Sequence, residues 1–180
     1  AYMEKIMGIK QPRVAVVNIG AEETKGRELE LGAHALFRKS GILNFTGNIE
    51  PRYIPRGDAD VVITDGFTGN VVLKLTEGLG KMIGNALKDI FMDGFAGKIA
   101  GLLVLKKVKA FKKKMDYTEY GGAPLLGISK PVIKAHGSSN GNAFKNAIRQ
   151  ARDFAERDVI GQITDSLAKI KEQNTQTKAE

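Results

Sequence analysis

The sequence contains no cysteine and only two histidines, His34 and His136, among its 180 residues. Without thiols the chain forms no disulfide bond, has no cysteine nucleophile and holds no cysteine-ligated zinc, which fits a reducing compartment. Two histidines are too few for a histidine-rich metal site. The glycine fingerprints of dinucleotide-binding and nucleoside-triphosphate-binding loops are also absent.

Long apolar runs are absent as well. No stretch approaches the roughly 20 residues that a membrane-spanning helix needs, and the first residues do not have the form of a signal peptide. We therefore expect a cytoplasmic protein. The chain opens on Ala1, and Tyr2, Met3, Ile6 and Met7 follow at helix-like spacing. This pattern indicates the end of a helix that begins elsewhere, and so a truncated chain.

Acidic residues are missing between Asp93 and Asp116, where the chain carries seven lysines instead. The net charge of the whole chain is +8, but outside this segment the basic and acidic residues nearly cancel. A basic charge confined to one segment indicates a local contact with an anionic partner rather than a domain that binds nucleic acid throughout. The lysines are Lys98, Lys106, Lys107, Lys109, Lys112, Lys113 and Lys114.

Strand-like and helix-like segments alternate along the chain. The first strand, 13–20, is almost entirely Val, Ala and Ile, as in a strand that is buried on both faces. A helix over 21–39 follows, with Glu22 and Glu23 in its first turn and Gly41 after its end. The later segments are strands at 42–47 and 60–65, a helix at 70–91, a strand at 132–135, and helices at 139–158 and 160–170. This alternation predicts a parallel α/β sheet with crossover helices.

The chain is expected to form a single α/β domain, or the C-terminal part of one, over residues 1–180. Within it, the basic segment 94–116 is expected to protrude, because it combines lysines with apolar side chains and interrupts the strand–helix order. Residues 171–180 are polar and are expected to form a flexible tail.

Three turns share one pattern, in which an apolar strand is followed by glycine and small polar residues and then by a helix. Glycine lets the backbone approach a ligand closely, and helix N-termini attract anions. Because the carboxyl ends of parallel strands lie along one sheet edge, the turns are predicted to face a single crevice that binds an anionic ligand. The predicted binding residues are Gly20, Asp65, Gly66, Thr68, Gly69, His136, Gly137, Ser138 and Ser139.

Two side chains in these turns are candidates for chemistry. Lys25 is predicted to lie where a helix starts, and there it neutralises a phosphate or a developing oxyanion, unless it is simply a solvated surface lysine. The Asn70 amide can donate to a carbonyl or phosphate oxygen, although Thr68 or Asn70 can equally serve as a helix cap. Asp65 either orients a ligand or forms an Asx-turn.

His136 precedes Gly137-Ser138-Ser139, which raises the possibility of a serine nucleophile with a histidine base. No acidic partner for the histidine can be placed from the sequence, and Gly-Ser-Ser is also a good phosphate-binding turn or helix cap. We favour hydrogen bonding and anion binding at this turn over a serine nucleophile.

The basic segment also has an apolar stripe, since Val104, Val108, Phe111 and Met115 recur at helical spacing. Lysines flank this stripe, as in a helix that lies in the interface of an anionic membrane. The alternative is a subunit-interface or surface helix with a solvated lysine face. The predicted membrane-contact residues are Leu102, Leu103, Val104, Val108, Phe111, Lys112 and Lys113.

Several blocks of sequence together resemble the PlsX family of phosphate acyltransferases, over roughly 12–157. The blocks are Asn18-Ile19-Gly20, Lys25-Gly26, Asn44-Phe45-Thr46-Gly47-Asn48-Ile49-Glu50, Asp58-Ala59-Asp60-Val61-Val62, Asp65-Gly66-Phe67-Thr68-Gly69-Asn70, Tyr120-Gly121-Gly122-Ala123-Pro124-Leu125-Leu126-Gly127 and Ile133-Lys134-Ala135-His136-Gly137-Ser138-Ser139.

The resemblance implies a three-layer α/β/α fold with a mostly parallel sheet, related to the phosphotransacetylases and the isocitrate dehydrogenase-like group. It implies transfer of a fatty acyl group from acyl-(acyl carrier protein) to inorganic phosphate, giving acyl phosphate for phospholipid synthesis, in a homodimer that associates peripherally with the membrane. Lys25 and Asn70 are the functional residues that it indicates. Neither a cofactor nor nucleic acid is expected.

The resemblance covers only the C-terminal half of the family, whose members are about twice as long. The fold is therefore expected to be incomplete, and the isolated chain to be inactive or nearly so. Two alternatives remain open, a phosphotransacetylase-like enzyme that uses acyl-CoA and a non-catalytic basic module that binds a membrane or nucleic acid.

Overall fold

The computed structural model describes residues 1–115 and 121–176, with the backbone alone for 112–115 and 173–176. The chain divides into two compact units. The first comprises Ala1–Thr64, Ala123–Lys134 and Ala147–Glu180, and the second comprises Asp65–Gly122 and Ala135–Asn146.

The first unit contains a parallel sheet of three strands in the order β2-β1-β3. These strands are β1 (Arg13–Val17), β2 (Asn44–Ile49) and β3 (Val61–Ile63). The side chains of Val14, Ala15, Val16 and Val17 are all buried, which confirms the prediction of a central strand covered on both faces. The mixed α/β class with a parallel sheet is thereby confirmed, and it is consistent with an α/β/α fold.

The helix after β1 packs against the sheet but starts later than the sequence predicts. It is α2 (Glu28–Ser40), so the predicted start at residue 21 is wrong, and its first-turn acids are Glu28 and Glu30. Gly26 has a left-handed φ of +101°, a conformation that cannot continue into a helix. The predicted end is confirmed, because Gly41 is the left-handed C-cap.

β1 ends three residues earlier than predicted, the bounds of the other predicted strands differ by one or two residues, and one of these strands lies outside the parallel sheet. The loop before β3 contains a 3-10 helix, Pro51–Arg56. The strand predicted at 132–135 is β5 (Ile133–Lys134), and it pairs antiparallel with β4 (Ala123–Pro124) in a separate two-stranded sheet. The Gly-rich stretch that leads to it falls partly outside the described residues.

Short and long helices complete the first unit. The chain starts with α1 (Tyr2–Lys5), and it ends with α5 (Gly141–Glu156), of which residues 141–146 belong to the second unit, and α6 (Val159–Gln176). Tyr2 stacks on the buried Phe154 with ring centroids 5.8 Å apart, and its hydroxyl accepts a hydrogen bond from Gln150 at 2.7 Å. Residues 171–176, expected to be a flexible tail, belong to α6, and 177–180 lie outside the described residues.

The second unit contains two long helices, α3 (Gly66–Met92) and α4 (Gly94–Met115), which pack against each other. The helix predicted at 70–91 therefore begins four residues earlier. Gly94, with φ +63°, makes the turn between the two helices. A Cβ at Gly97 would lie 2.9 Å from the Ile90 carbonyl oxygen, so glycine is required where the helices meet.

An ion pair joins the amino ends of β1 and β3. The Arg13 backbone N–H and guanidinium both donate to the Asp60 carboxylate, at 2.8 to 3.0 Å. These hydrogen bonds lower the pKa of Asp60 to about 2. The carboxylate therefore stabilises the fold above its unfolded-state pKa of about 4, and this contribution is lost as the pH falls through about 2.

We expect the melting temperature of Asp60→Asn to lie below that of the wild type at pH 7, and the difference to shrink as the pH is lowered from 5 to 2. Thermal denaturation followed by circular dichroism across this pH range measures it. Asp58→Asn is the matched control, because Asp58 is exposed and its contact with Arg56 is longer, at 3.6 Å. A difference for Asp60→Asn that stays constant with pH would contradict the assignment.

Candidate functional site

Residues 18–27, here called the Lys25 loop, connect β1 to α2. Asn18, which is buried, directly follows β1, and its Nδ2 donates to the Lys25 carbonyl oxygen at 2.8 Å while its Oδ1 accepts from the Ile19 N–H at 2.8 Å. From β2, Asn48 Nδ2 donates to the Glu22 carbonyl oxygen at 2.8 Å. Two neutral side chains from adjacent strands thus fix the loop backbone at two points. Such side-chain bonds to the backbone compete with helix formation.

Glycines at both ends of the Lys25 loop permit close contacts. A Cβ at Gly20 would lie 3.0 Å from Cγ of Lys25, so the aliphatic part of the lysine runs against this glycine. A Cβ at Gly26 would lie 2.8 Å from Nδ2 of Asn18. A larger residue at Gly20 would push the Glu22 and Lys25 side chains aside, and one at Gly26 would press on the buried Asn18 amide.

Two charged neighbours of Lys25, Glu23 and Arg27, are held in ion pairs of their own, whereas the Glu22 carboxylate lies beside Gly20, its Oε2 2.6 Å from the position of a Gly20 Cβ. Arg27 bonds to the Glu30 carboxylate and lowers the pKa of Glu30 to about 2. Glu23 pairs with Arg38 of α2 at 2.6 Å. The Lys25 side chain is exposed, and within the described residues its ammonium group forms no ion pair. It is therefore a cation that an anionic ligand can reach, although it lies in a loop and not at the predicted helix start.

A shallow cavity of about 690 Å³ adjoins the Lys25 loop. The sequence reasoning missed it, because its lining combines loop residues with one face of α2. His34 in this lining is buried and contacts the Phe45 ring edge-on at 5.1 Å, which makes it a packed core residue. The lining residues are Glu23, Thr24, Leu31, His34, Ala35, Arg38 and Lys39.

The second turn begins with Asp65, which is the N-cap of α3. Its carboxylate accepts hydrogen bonds from the Thr68 backbone N–H at 2.9 Å and from the Thr68 hydroxyl at 2.6 Å. The cap is therefore Asp65, so neither Thr68 nor Asn70 has the capping role weighed for them. Asn70 lies in the first turns of α3 with an exposed side chain. Its amide is accessible, as a ligand contact requires.

The third turn contains a close serine–histidine contact. His136 Nδ1 lies 2.7 Å from the Ser138 Oγ and also accepts from the Ser138 backbone N–H at 3.2 Å. Nδ1 thus acts as an acceptor, which leaves the proton of a neutral imidazole on Nε2. Asn140 then caps α5, its Oδ1 accepting from the Ala143 N–H at 2.9 Å. Gly137 and Ser138 are exposed and Ser139 is half-buried.

The three turns do not all follow strands of one sheet. β1 and β3 are parallel neighbours, so these two strands end at the same edge of the three-stranded sheet. The His136 turn follows β5 of the antiparallel pair, so the expectation that it leaves the same sheet edge is wrong. Lys25 belongs to the first unit, whereas Asn70 and the His136 turn belong to the second.

The basic helix α4 has two different apolar faces. Gly97 and Gly101 pack against Phe91 of α3, and Val104 and Val108 continue the same face by their spacing and are half-buried. Val104 and Val108 of the predicted stripe therefore lie on the half-buried side of α4, whereas Phe111 is 60% exposed. The side chains of Met115, Lys112 and Lys113 are outside the described residues.

The opposite face of α4 is the exposed one. Leu102 is 73% exposed and Leu103 is 80% exposed. This face carries residues at helical spacing, namely Phe95, Ile99, Leu102 and Lys106. It therefore combines apolar side chains with a lysine. In the part of the chain that the structure describes, no helix is long and apolar enough to cross a membrane, and the described residues contain no cluster of potential metal ligands.

Comparisons with known proteins agree on one family. A family model described as a fatty acid synthesis protein matches residues 1–162. A phosphate acyltransferase of Alkaliphilus oremlandii is 53% identical over 169 residues, covering 94% of this chain and 50% of the relative. Phosphate acyltransferases of Clostridium botulinum and Staphylococcus epidermidis are 50% and 49% identical, covering 96% and 92% of this chain and 51% of each relative. The chain thus spans about half the length of these relatives.

Proposed function

Because this chain belongs to the fatty acid synthesis protein family, whose members include the phosphate acyltransferases it matches, we propose that it is part of an acyltransferase of phospholipid synthesis. The proposed reaction transfers a fatty acyl group from acyl-(acyl carrier protein) to inorganic phosphate and yields acyl phosphate. The observation that carries the proposal is the Lys25 loop, in which an accessible lysine is held at the carboxyl edge of a parallel sheet. This is where open α/β sheets bind their ligands.

The proposed chemistry needs no covalent enzyme intermediate. A phosphate oxygen attacks the thioester carbonyl carbon, a C–O bond forms, and the C–S bond breaks to release the carrier thiol after protonation. The proposed role of the Lys25 ammonium is to neutralise charge on phosphate or on the tetrahedral oxyanion, and that of the Asn70 amide is to donate a hydrogen bond to a carbonyl or phosphate oxygen. Asp65 supports this role indirectly, because it caps the helix that carries Asn70.

Backbone groups of the turns complete the proposed site. Gly20 and Gly66 are proposed to offer backbone donors to an anion, and Gly137 to do the same in the turn before α5. The N–H groups of Thr68 and Gly69 already bond to Asp65, and those of Ser138 and Ser139 bond to His136, so the proposed contribution of these four residues is the order of each turn. The Ser138–His136 contact supports this assignment, since the serine hydroxyl bonds to the acceptor nitrogen and orders the turn.

The exposed face of α4 supports a membrane contact. Leu102 and Leu103 are exposed apolar side chains beside lysines on a helix, the composition of helices that lie in an anionic interface. We propose that the protein acts at the cytoplasmic membrane surface, as a peripherally bound homodimer that receives its acyl group from acyl-(acyl carrier protein).

The direct test uses a protein of the relatives' full length that carries this chain. It is incubated with inorganic phosphate and either acyl-(acyl carrier protein) or acyl-CoA, and acyl phosphate is trapped with hydroxylamine. We expect product with the carrier-protein donor and only with phosphate present. If product forms with phosphate and acyl-CoA but not with the carrier-protein donor, the activity is the phosphotransacetylase-like one. No product from either donor would overturn the proposal.

A further inference from the structure

We infer that Asn18 is the positioning residue for Lys25, an inference that rests on the proposed function of that lysine. Asn18 is 4% exposed and directly follows the central strand β1. Its backbone N–H donates to the Ile49 carbonyl oxygen at 3.0 Å, which extends the pairing of β1 with β2 by one residue. The side chain thus starts from a backbone that the sheet holds rigidly.

Both ends of the Asn18 amide are used. Nδ2 donates to the carbonyl oxygen of Lys25, and Oδ1 accepts from the N–H of Ile19, each at 2.8 Å. Through the bond to Lys25, Asn18 at the end of β1 holds the C-terminal part of the Lys25 loop. Leaving a buried amide without its hydrogen-bond partner costs more free energy than the hydrogen bond itself contributes. The loop therefore strongly prefers the conformation in which both Asn18 hydrogen bonds are formed.

Gly26 makes the contact possible and shows how tight it is. A Cβ at this position would come within 2.8 Å of Nδ2 and 2.9 Å of Oδ1 of Asn18. The residue next to Lys25 is therefore pressed against the same amide that bonds to the Lys25 carbonyl. The Lys25 backbone is fixed at its carbonyl by Asn18, and its side chain runs against Gly20. Asn18 is thus able to determine where the ammonium group is presented.

The first test measures loop order without relying on activity. Trypsin cleaves after Lys25 only when the loop opens locally, so the cleavage rate reports the open population. We expect Asn18→Ala to raise the rate of this cut about tenfold, measured by mass spectrometry. Asn44→Ala is the matched control, since Asn44 Nδ2 donates to the Gln11 carbonyl oxygen at 2.9 Å at the opposite end of the sheet. A cut after Lys25 that is no faster in Asn18→Ala than in the control overturns the inference.

The second test is a double-mutant cycle in the full-length enzyme. A residue that acts through Lys25 loses its effect once Lys25 is gone. We expect Asn18→Ala to lower kcat/KM about tenfold in the wild-type background and to have no further effect in Lys25→Ala. Additive losses would show a general structural role and overturn the inference. If the wild type forms no acyl phosphate, the proposed function fails instead, and the trypsin test still decides whether Asn18 orders the Lys25 loop.

Discussion

Lys25→Ala and Asn70→Ala each lower the turnover of acyl phosphate formation at least about tenfold in the full-length protein, equivalent to about 1.4 kcal/mol of transition-state stabilisation. Each change removes a polar group that is proposed to act on the phosphate and the tetrahedral oxyanion. Both side chains are exposed, so the melting temperatures are expected to stay close to that of the wild type. Initial rates at saturating donor and phosphate measure the effect.

Two controls separate these residues from others of the same kind. Lys10→Ala removes an exposed lysine outside the Lys25 loop, and Asn85→Ala removes an exposed asparagine from the same helix as Asn70. Neither control is expected to change turnover by more than about twofold. Near wild-type turnover in both Lys25→Ala and Asn70→Ala would refute the site assignment.

Co-sedimentation with anionic vesicles falls at least about tenfold in Leu102→Glu with Leu103→Glu. Burial of two leucine side chains in the membrane interface contributes several kcal/mol, and the added carboxylates oppose the anionic surface. Because both side chains are largely exposed, the double change leaves the packing of α3 and α4 intact. Turnover of a soluble donor should be largely preserved.

The matched control for this experiment is Leu29→Glu with Leu36→Glu, which adds the same two charges at exposed leucines of α2. It is expected to bind vesicles almost as the wild type does. Replacing Lys112, Lys113 and Lys114 by Gln should weaken binding without abolishing it, since the apolar face persists. Undiminished binding of the Leu102–Leu103 variant, or a wild type that prefers nucleic acid over vesicles, would rule out a membrane contact through this face.

Local patterns in the sequence determined much of the first unit. The run of apolar residues in β1 predicts its burial, because a strand covered on both faces has no need of alternating polar positions. Gly41 predicts the end of α2, because the left-handed cap favours glycine. The apolar runs of β1 and β3 also predicted two strands of a parallel sheet, and β1 and β3 are parallel neighbours.

Other features depend on residues far apart in the sequence. The helix predicted from residue 21 begins at Glu28, because Asn18 and Asn48 from two strands bind the intervening backbone carbonyls. The helix propensity of residues 21–27 gives no indication of these side-chain hydrogen bonds, because the Asn48 donor lies on another strand. In the same way, the sequence around β5 does not indicate that this strand pairs with the short strand β4 rather than joining the parallel sheet.

The basic helix α4 shows both contributions in a single element. The spacing of its apolar residues determined that it is helical and amphipathic, since that pattern follows from the 3.6-residue turn alone. Which side stays exposed was decided only by the tertiary structure, because Gly97 and Gly101 allow α3 to approach one side of α4 closely, and Val104 and Val108 on that side are half-buried. Leu102 and Leu103 are left on the open side for this reason.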